Sequence, residues 1–188
     1  MASIIKANQL QDFGGNSILT SDGAGNVTVN AAAMKMTPAF EAHLSADQSV
    51  SDAVLTKAEV DIEVFDTDNC YDNTTNYRFT PNVAGKYFVY AKVCLSGSAD
   101  ASVRDIQTRI YKNGTSYANT DFRYDNNDIA RGSPVTIAII EMNGTTDYLE
   151  MFGYINTISG SPSFLSDVAG TVSQQKATSF GAYKMIGA

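Results

Sequence analysis

Tyr87-Phe-Val-Tyr-Ala-Lys-Val-Cys-Leu95 is the stretch that decides the fold. Its odd positions, Tyr87, Val89, Ala91, Val93 and Leu95, are all apolar, and of its even positions only Lys92 is charged. Successive side chains of a strand point to opposite faces, so the alternation describes one strand with two apolar faces. It falls far short of the roughly 18 apolar residues of a membrane-spanning helix. Val135 to Met142 repeats the pattern, as does Tyr148 to Ile155, with Tyr148, Phe152 and Tyr154 on one side and Leu149, Met151 and Ile155 on the other. A two-layer sandwich buries one face of each sheet, so the second apolar face implies another subunit.

Working outward, Val60, Ile62 and Val64 alternate with Glu59, Asp61 and Glu63, which predicts a strand with three aliphatic side chains buried and three acids in solvent. Asn113-Gly114 follows Ile106 to Lys112, and Asn143-Gly144 separates the runs at 135–142 and 148–155. This dipeptide suits the tight type I′ turn, so both sites are predicted hairpins. No segment sustains a 3.6-residue apolar period, and helix is expected to be minor. Short strands punctuated by Gly, Asn and Asp predict an all-β, antiparallel sandwich or jelly roll.

The 188 residues allow one sizeable core and a short appendage. Thirteen basic against 20 acidic residues give a net charge of −7, which argues against holding nucleic acid by its phosphates or docking on an anionic membrane. No membrane insertion is expected, and the first residues lack the uninterrupted apolar core of a secretory signal. Cys70 and Cys94 are read as free thiols, and the Asn-X-Ser/Thr triplets at Asn26, Asn73, Asn113 and Asn143 as turns. Residues 1–36 form a neutral Gly/Asn/Ser/Ala-rich arm whose only charges are Lys6, Lys35, Asp12 and Asp22. Within it, Ser21-Asp-Gly-Ala-Gly25 predicts a hairpin between runs at 16–20 and 26–30. Residues 37–188 are expected to form the compact domain.

Phe40, Val64-Phe65, Tyr71-Asp72-Asn73, Tyr77-Arg78-Phe79-Thr80-Pro81, Ala84-Gly85-Lys86-Tyr87-Phe88-Val89, Ile110-Tyr-Lys-Asn-Gly114 and Phe180-Gly-Ala-Tyr183 occur in that order. Together they resemble the globular head of the complement C1q / tumour necrosis factor superfamily. The resemblance implies a jelly roll of about ten strands that assembles as a homotrimer with aromatic residues along the threefold axis. Phe88, Tyr90, Tyr148, Phe152 and Tyr154 are the candidate trimer-interface residues. The arm, with Lys6-Ala-Asn-Gln-Leu10 and Ile18-Leu-Thr-Ser-Asp-Gly-Ala-Gly-Asn26-Val-Thr28, resembles N-terminal attachment segments of tailed-bacteriophage virion proteins. Ile4, Ile5, Leu10, Ile18, Leu19, Val27 and Val29 are its candidate anchor residues, with a capsid or tail protein as partner at the virion surface.

Little in the chain resembles catalytic machinery. His43, the only histidine, shares a face with Glu41 opposite Phe40, Ala42 and Leu44, and no Gly-x-Ser-x-Gly turn supplies a nucleophile. Zinc lacks a short-spaced ligand pair, since His43, Cys70 and Cys94 are far apart. No cofactor is expected, although acid-rich residues 59–72 raise calcium as a question, with Asp66, Asp68 and Asp72 as candidate ligands beside Asn69. The EF-hand pattern fails there: counted from Asp66, Cys70 takes the third ligand's place, Tyr71 the glycine's and Tyr77 the terminal glutamate's. A solvated acidic edge that discourages aggregation explains the same residues. Asp125-Asn-Asn-Asp128 reads first as a polar loop. Tyr117, Phe122 and Tyr124 could stack on a sugar if exposed, which keeps a host receptor or glycan as an alternative partner. The expected function is non-enzymatic: a homotrimeric virion protein, either a capsid decoration or a fibre. A receptor- or glycan-binding adhesin at a tail-fibre tip is the alternative, with a tailspike depolymerase ranked behind it, since such enzymes usually need longer, repetitive β-helical folds.

Overall fold

The computed structural model describes residues 7–31, 34–100, 102–124, 128–167 and 176–187, among which every ladder is antiparallel and no α-helix occurs. No helix there is long and apolar enough to cross a membrane. Strands β1 (Gln9–Gln11), β2 (Ser17–Ser21) and β3 (Val27–Val29) form a meander of their own. The other strands are β4 (Ala39–His43), β5 (Gln48–Ser49), β6 (Thr56–Lys57), β7 (Ile62–Asp66), β8 (Tyr71–Asp72), β9 (Arg78–Phe79), β10 (Gly85–Lys92) and β11 (Leu95–Ser96). Then follow β12 (Val103–Lys112), β13 (Thr115–Arg123), β14 (Arg131–Gly132), β15 (Val135–Met142), β16 (Leu149–Thr157), β17 (Ser163–Phe164) and β18 (Ser179–Lys184).

Two sheets face each other across one core. The front sheet runs β15-β10-β18-β4-β7, and the back sheet β13-β12-β16-β9-β8, with β6 also paired to β16. A short end sheet, β14-β11-β17-β5, extends the sandwich. The chain passes between front and back from β12–β13 to β15, β16 and β18, as a jelly roll requires.

The core is aromatic where the sequence motifs converge. Phe40 stacks on Tyr71 and on Phe79, each 4.5 Å between centroids, with Phe180 edge-on at 5.1 Å and Tyr87 edge-on to Phe79 at 5.8 Å. These rings come from five strands of both sheets, so the residues that carried the sequence resemblance are the ones that tie the layers together. Each such pair adds about 0.5–1.5 kcal/mol beyond area burial. The Tyr71 hydroxyl donates to the Val60 carbonyl at 2.9 Å, which gives its buried polar end a partner.

In the deciding stretch, Tyr87, Val89, Ala91, Val93 and Leu95 are all fully buried, while Phe88 and Tyr90 are half-buried on the other face. The run is two strands rather than one, because it turns after Lys92 from the front sheet into the end sheet. Thr108 Oγ1 accepts the Val93 amide at 3.3 Å and Thr178 Oγ1 accepts the Cys94 amide at 3.0 Å, so two buried hydroxyls replace the ladder bonds lost at the bend. Cys70 and Cys94 are buried free thiols.

Three sequence expectations are corrected. Asn113-Gly114 does close a hairpin, with φ +52° and +76°, between β12 and β13. Asn143-Gly144 does not: β15 belongs to the front sheet and β16 to the back, so residues 143–148 cross between layers. There the Asn143 Oδ1 accepts the amides of Thr145, Thr146 and Asp147 at 2.9–3.0 Å, organising a wider loop. Of the three aliphatics expected to be buried together, only Val60 is; Ile62 and Val64 are exposed. The cause is that β7 is the free edge of the front sheet, with a bulge opposite Glu41 and Ala42 that turns its side chains outward. In the arm, the expected hairpin is β2–β3, and β1 adds a third strand that the sequence reading did not foresee.

Candidate functional site

The outer face of the front sheet carries exposed and half-buried apolar side chains from several strands. Register fixes its rows, because residues directly opposite in neighbouring strands share a face. One row runs Ile137, Tyr90, Gly181, Glu41, Phe65, and the next begins Ile139, Phe88, Tyr183. A third runs Val135, Lys92, Ser179, His43, Ile62. Ile137 is 61% exposed, and Val135, Ile139, Ile62 and Phe65 are exposed as well. Phe88 and Tyr183 stack at 5.3 Å. Tyr90 lies across the backbone of Gly181, where a Cβ would collide with its ring and hydroxyl.

Charge enters this face at Glu41, at Lys92 in the third row, and at Lys86 and Glu141, which stand opposite each other in line with Phe88 and Tyr90. Glu41 pairs with Lys176 at 2.8 Å and bonds the Tyr90 hydroxyl, whose pKa is raised by burial and by the Glu41 charge. Beside it the His43 Nδ1–H donates to the Leu44 carbonyl at 2.9 Å, fixing the ring. The free edge of the face is capped from the back sheet. Thr120 Oγ1 donates to the Val135 carbonyl at 2.9 Å, and the Tyr117 hydroxyl to the Ile139 carbonyl at 3.4 Å. Both acceptors lie on edge strand β15, so side chains occupy groups that an added strand would need.

The outer face of the back sheet is different in kind. Gln107, Arg109, Glu150, Asn156 and Asp121 stand there among half-buried Tyr111, Phe152 and Tyr154. Phe152 packs against Tyr111 at 4.3 Å under Lys57, which β6 brings over the ring and which pairs with the buried Glu150 carboxylate. Arg78 lies over the Tyr148 ring at 4.6 Å.

The five candidate interface residues therefore fall into two groups. Phe88 and Tyr90 lie together on the front face, whereas Phe152 and Tyr154 are on the back face and Tyr148 precedes β16 at the end of the same sheet. The sequence reading missed Val135, Ile137, Ile139 and Tyr183. Their signal was present in the doubly apolar run 135–142, but the aromatics of β16 produce the same pattern in sequence.

The candidate calcium ligands work as turn acceptors. Asp66 Oδ2 accepts the Tyr71 amide at 2.7 Å, and Asp68 Oδ2 accepts the Thr67 hydroxyl at 2.6 Å. Asp72 takes the amides of Thr74, Thr75 and Asn76 and the Asn76 side chain. Those bonds, the Thr75 amide first, hold its carboxyl far below the ordinary aspartate range. No group of three or more His, Cys, Asp or Glu side chains gathers as an ion site among the described residues. Of the anchor candidates, Leu10, Leu19, Val27 and Val29 share one face of the meander, Ile18 lies on the other, and Ile4 and Ile5 fall outside the described residues. Of the candidate loop Asp125–Asp128, only Asp128 is described, with Arg104 Nε 3.8 Å from its carboxylate.

No protein-family model matches the chain, and no curated protein does. Solved structures do. Eiger TNF from S. frugiperda is 14% identical over 78% of this chain and 91% of its own, with a TM-score of 0.51. Murine APRIL at pH 5.0 is 12% identical over 78% and 98%, with a TM-score of 0.53. The globular domain of zebrafish complement 1qA is 11% identical over 79% and 98%, with a TM-score of 0.48.

Proposed function

We propose that the chain, whose fold is the TNF-like jelly roll, is a non-enzymatic structural protein of a bacteriophage virion. It forms a homotrimer of acidic heads, displayed on the virion surface as a capsid decoration or fibre and attached through residues 1–36. The observation that carries self-association is the contrast between the two outer faces: exposed Val135, Ile137 and Ile139 beside Phe88, Tyr90 and Tyr183 on the front, polar residues among half-buried aromatics on the back. An apolar face of that size on a sandwich calls for a partner. Trimeric assembly and the virion setting are supported by the sequence resemblances of the head and the arm. Tyr117 and Phe122, which a glycan-binding role would use, stand on the strand whose side chains cap the β15 edge, beside the same apolar surface.

Native mass measurement of the full chain tests the assembly, with a trimer expected. Ile137→Asp combined with Ile139→Asp is expected to yield folded monomers, because both side chains are exposed in the single chain and neither supports its core. Deleting residues 1–36 is expected to leave a soluble trimer that no longer binds purified particles. A monomeric truncation refutes the head trimer, and retained particle binding refutes the anchor.

A further inference from the structure

Strand register puts Leu10, Leu19 and Val29 side by side on one face of the meander, and Val27, opposite Ser21, on the same face two residues along. Leu10 is 54% and Val27 61% exposed. The other face carries Gln9, Thr20 and Thr28 beside Ile18, with the Asn30 side chain donating to the hydroxyls of Ser17 and Thr20. The three strands pair only with one another, and a shallow groove runs along the apolar face between Leu10, Leu19 and Val27. A sheet this small holds in water only when its apolar face is packed against something.

We infer that three copies of the meander pack on one another through this face, making a second threefold contact at the N-terminal side of the heads. The inference rests on the trimer reading above, and the occupant of the face is the same face of the other two copies. Charge selects it first: residues 1–36 hold two Lys and two Asp, so the arms meet without net repulsion, whereas each head carries the whole −7. The two acids are also engaged within their own turns. Asp12 accepts the Asn16 amide and side chain, and Asp22 the amides of Ala24 and Asn26 and the Asn26 side chain. The tether selects it next. Eight residues separate Asn30 from Ala39, at most about 30 Å of chain, and β4 lies in the sheet whose outer face is the proposed self-association surface. Heads that associate therefore hold three meanders at an effective concentration on the order of millimolar. Particle attachment then falls to parts of the arm outside this face.

The test is oxidative cross-linking of the full chain carrying Val27→Cys, with Thr28→Cys on the opposite face as control; Cys70 and Cys94 are buried and do not interfere. With three meanders in contact, one disulfide per trimer links up to about two thirds of the Val27→Cys chains into dimers on a denaturing gel, against about a tenth or less for Thr28→Cys. Adding Leu10→Asp to the Val27→Cys chain is expected to cut that yield several-fold while native mass still reports a trimer. A trimer that shows no Val27→Cys cross-link, or equal cross-linking at both positions, overturns the arm contact and leaves the head reading intact. A monomer in native mass overturns the head reading, and the arm contact with it.

Discussion

Asp72 and Gly144 show how single residues hold the loops of this sandwich. Asp72 accepts three backbone amides and the Asn76 side chain, so its ionised form is favoured in the folded state and its pKa is lowered. A carboxylate depressed on folding adds stability that is fully present above the unfolded value near 4 and is lost as pH falls through the acid range toward the folded value. Asp72→Ala is expected to cost about 1–2 kcal/mol at pH 7 in urea unfolding, and less as pH is lowered to 2. A difference that stays constant over that range would contradict the linkage. Gly144 combines φ +72° with a Cβ position that collides with the Ala84 backbone nitrogen. Gly114 has φ +76° and only the Tyr148 hydroxyl at 3.5 Å. Gly114→Ala should therefore lose about 1–2 kcal/mol for its backbone conformation alone. Gly144→Ala should lose at least about 1 kcal/mol more, since backbone cannot move aside as a side chain does, and thermal melts of the two variants compare them directly.

At the scale of the element, the same Asn-Gly pair serves two different connections. Between β12 and β13 it closes a hairpin within one sheet; between β15 and β16 it opens a loop that joins layers packed about 10 Å apart. Removing Thr145 and Thr146 leaves four residues to join the layers and takes away two of the three amides that Asn143 Oδ1 holds, so it is expected to lower the melting temperature clearly, whereas two glycines inserted between Asn113 and Gly114 should leave the circular dichroism spectrum unchanged. The strands themselves were legible: period-two alternation located β10, β15 and β16, and the inward residues of β10 are fully buried. Their partners were not, since alternation says which residues share a face and nothing about which sheet a strand joins. That is why Phe88 and Tyr90 fall on the front face while Phe152 and Tyr154 fall on the back, although all four came from doubly apolar runs. Ile62 and Val64 misled for the converse reason: a free edge strand with a bulge obeys the alternation in sequence and leaves its aliphatic side chains outside. The motif Phe40, Tyr71, Phe79, Tyr87, Phe180 succeeded because its rings contact one another, so spacing and chemistry are constrained together.

For the whole molecule, the distribution of charge decides how association should respond to salt. The net −7 lies entirely in residues 37–188, and three associated heads would gather −21. Their proposed contact is mainly apolar: Ile137, Ile139, Phe88 and Tyr183 bring no charge to it, while of its acids Glu41 is paired with Lys176 in the same chain and Glu141 stands opposite Lys86. Attraction at the face is therefore indifferent to screening, while repulsion between heads is weakened by it. Raising ionic strength from 0.01 to 0.1 M shortens the screening length from about 30 to about 10 Å, less than the span of one head. The trimer is expected to become several-fold harder to dissociate over that interval, measured by sedimentation at low protein concentration, and Ile137→Asp should remove association at both salts. An association held by complementary charges, such as Lys92 and Lys86 of one chain against acids of another, would weaken with salt instead, and that outcome would exclude the apolar front face as the main contact.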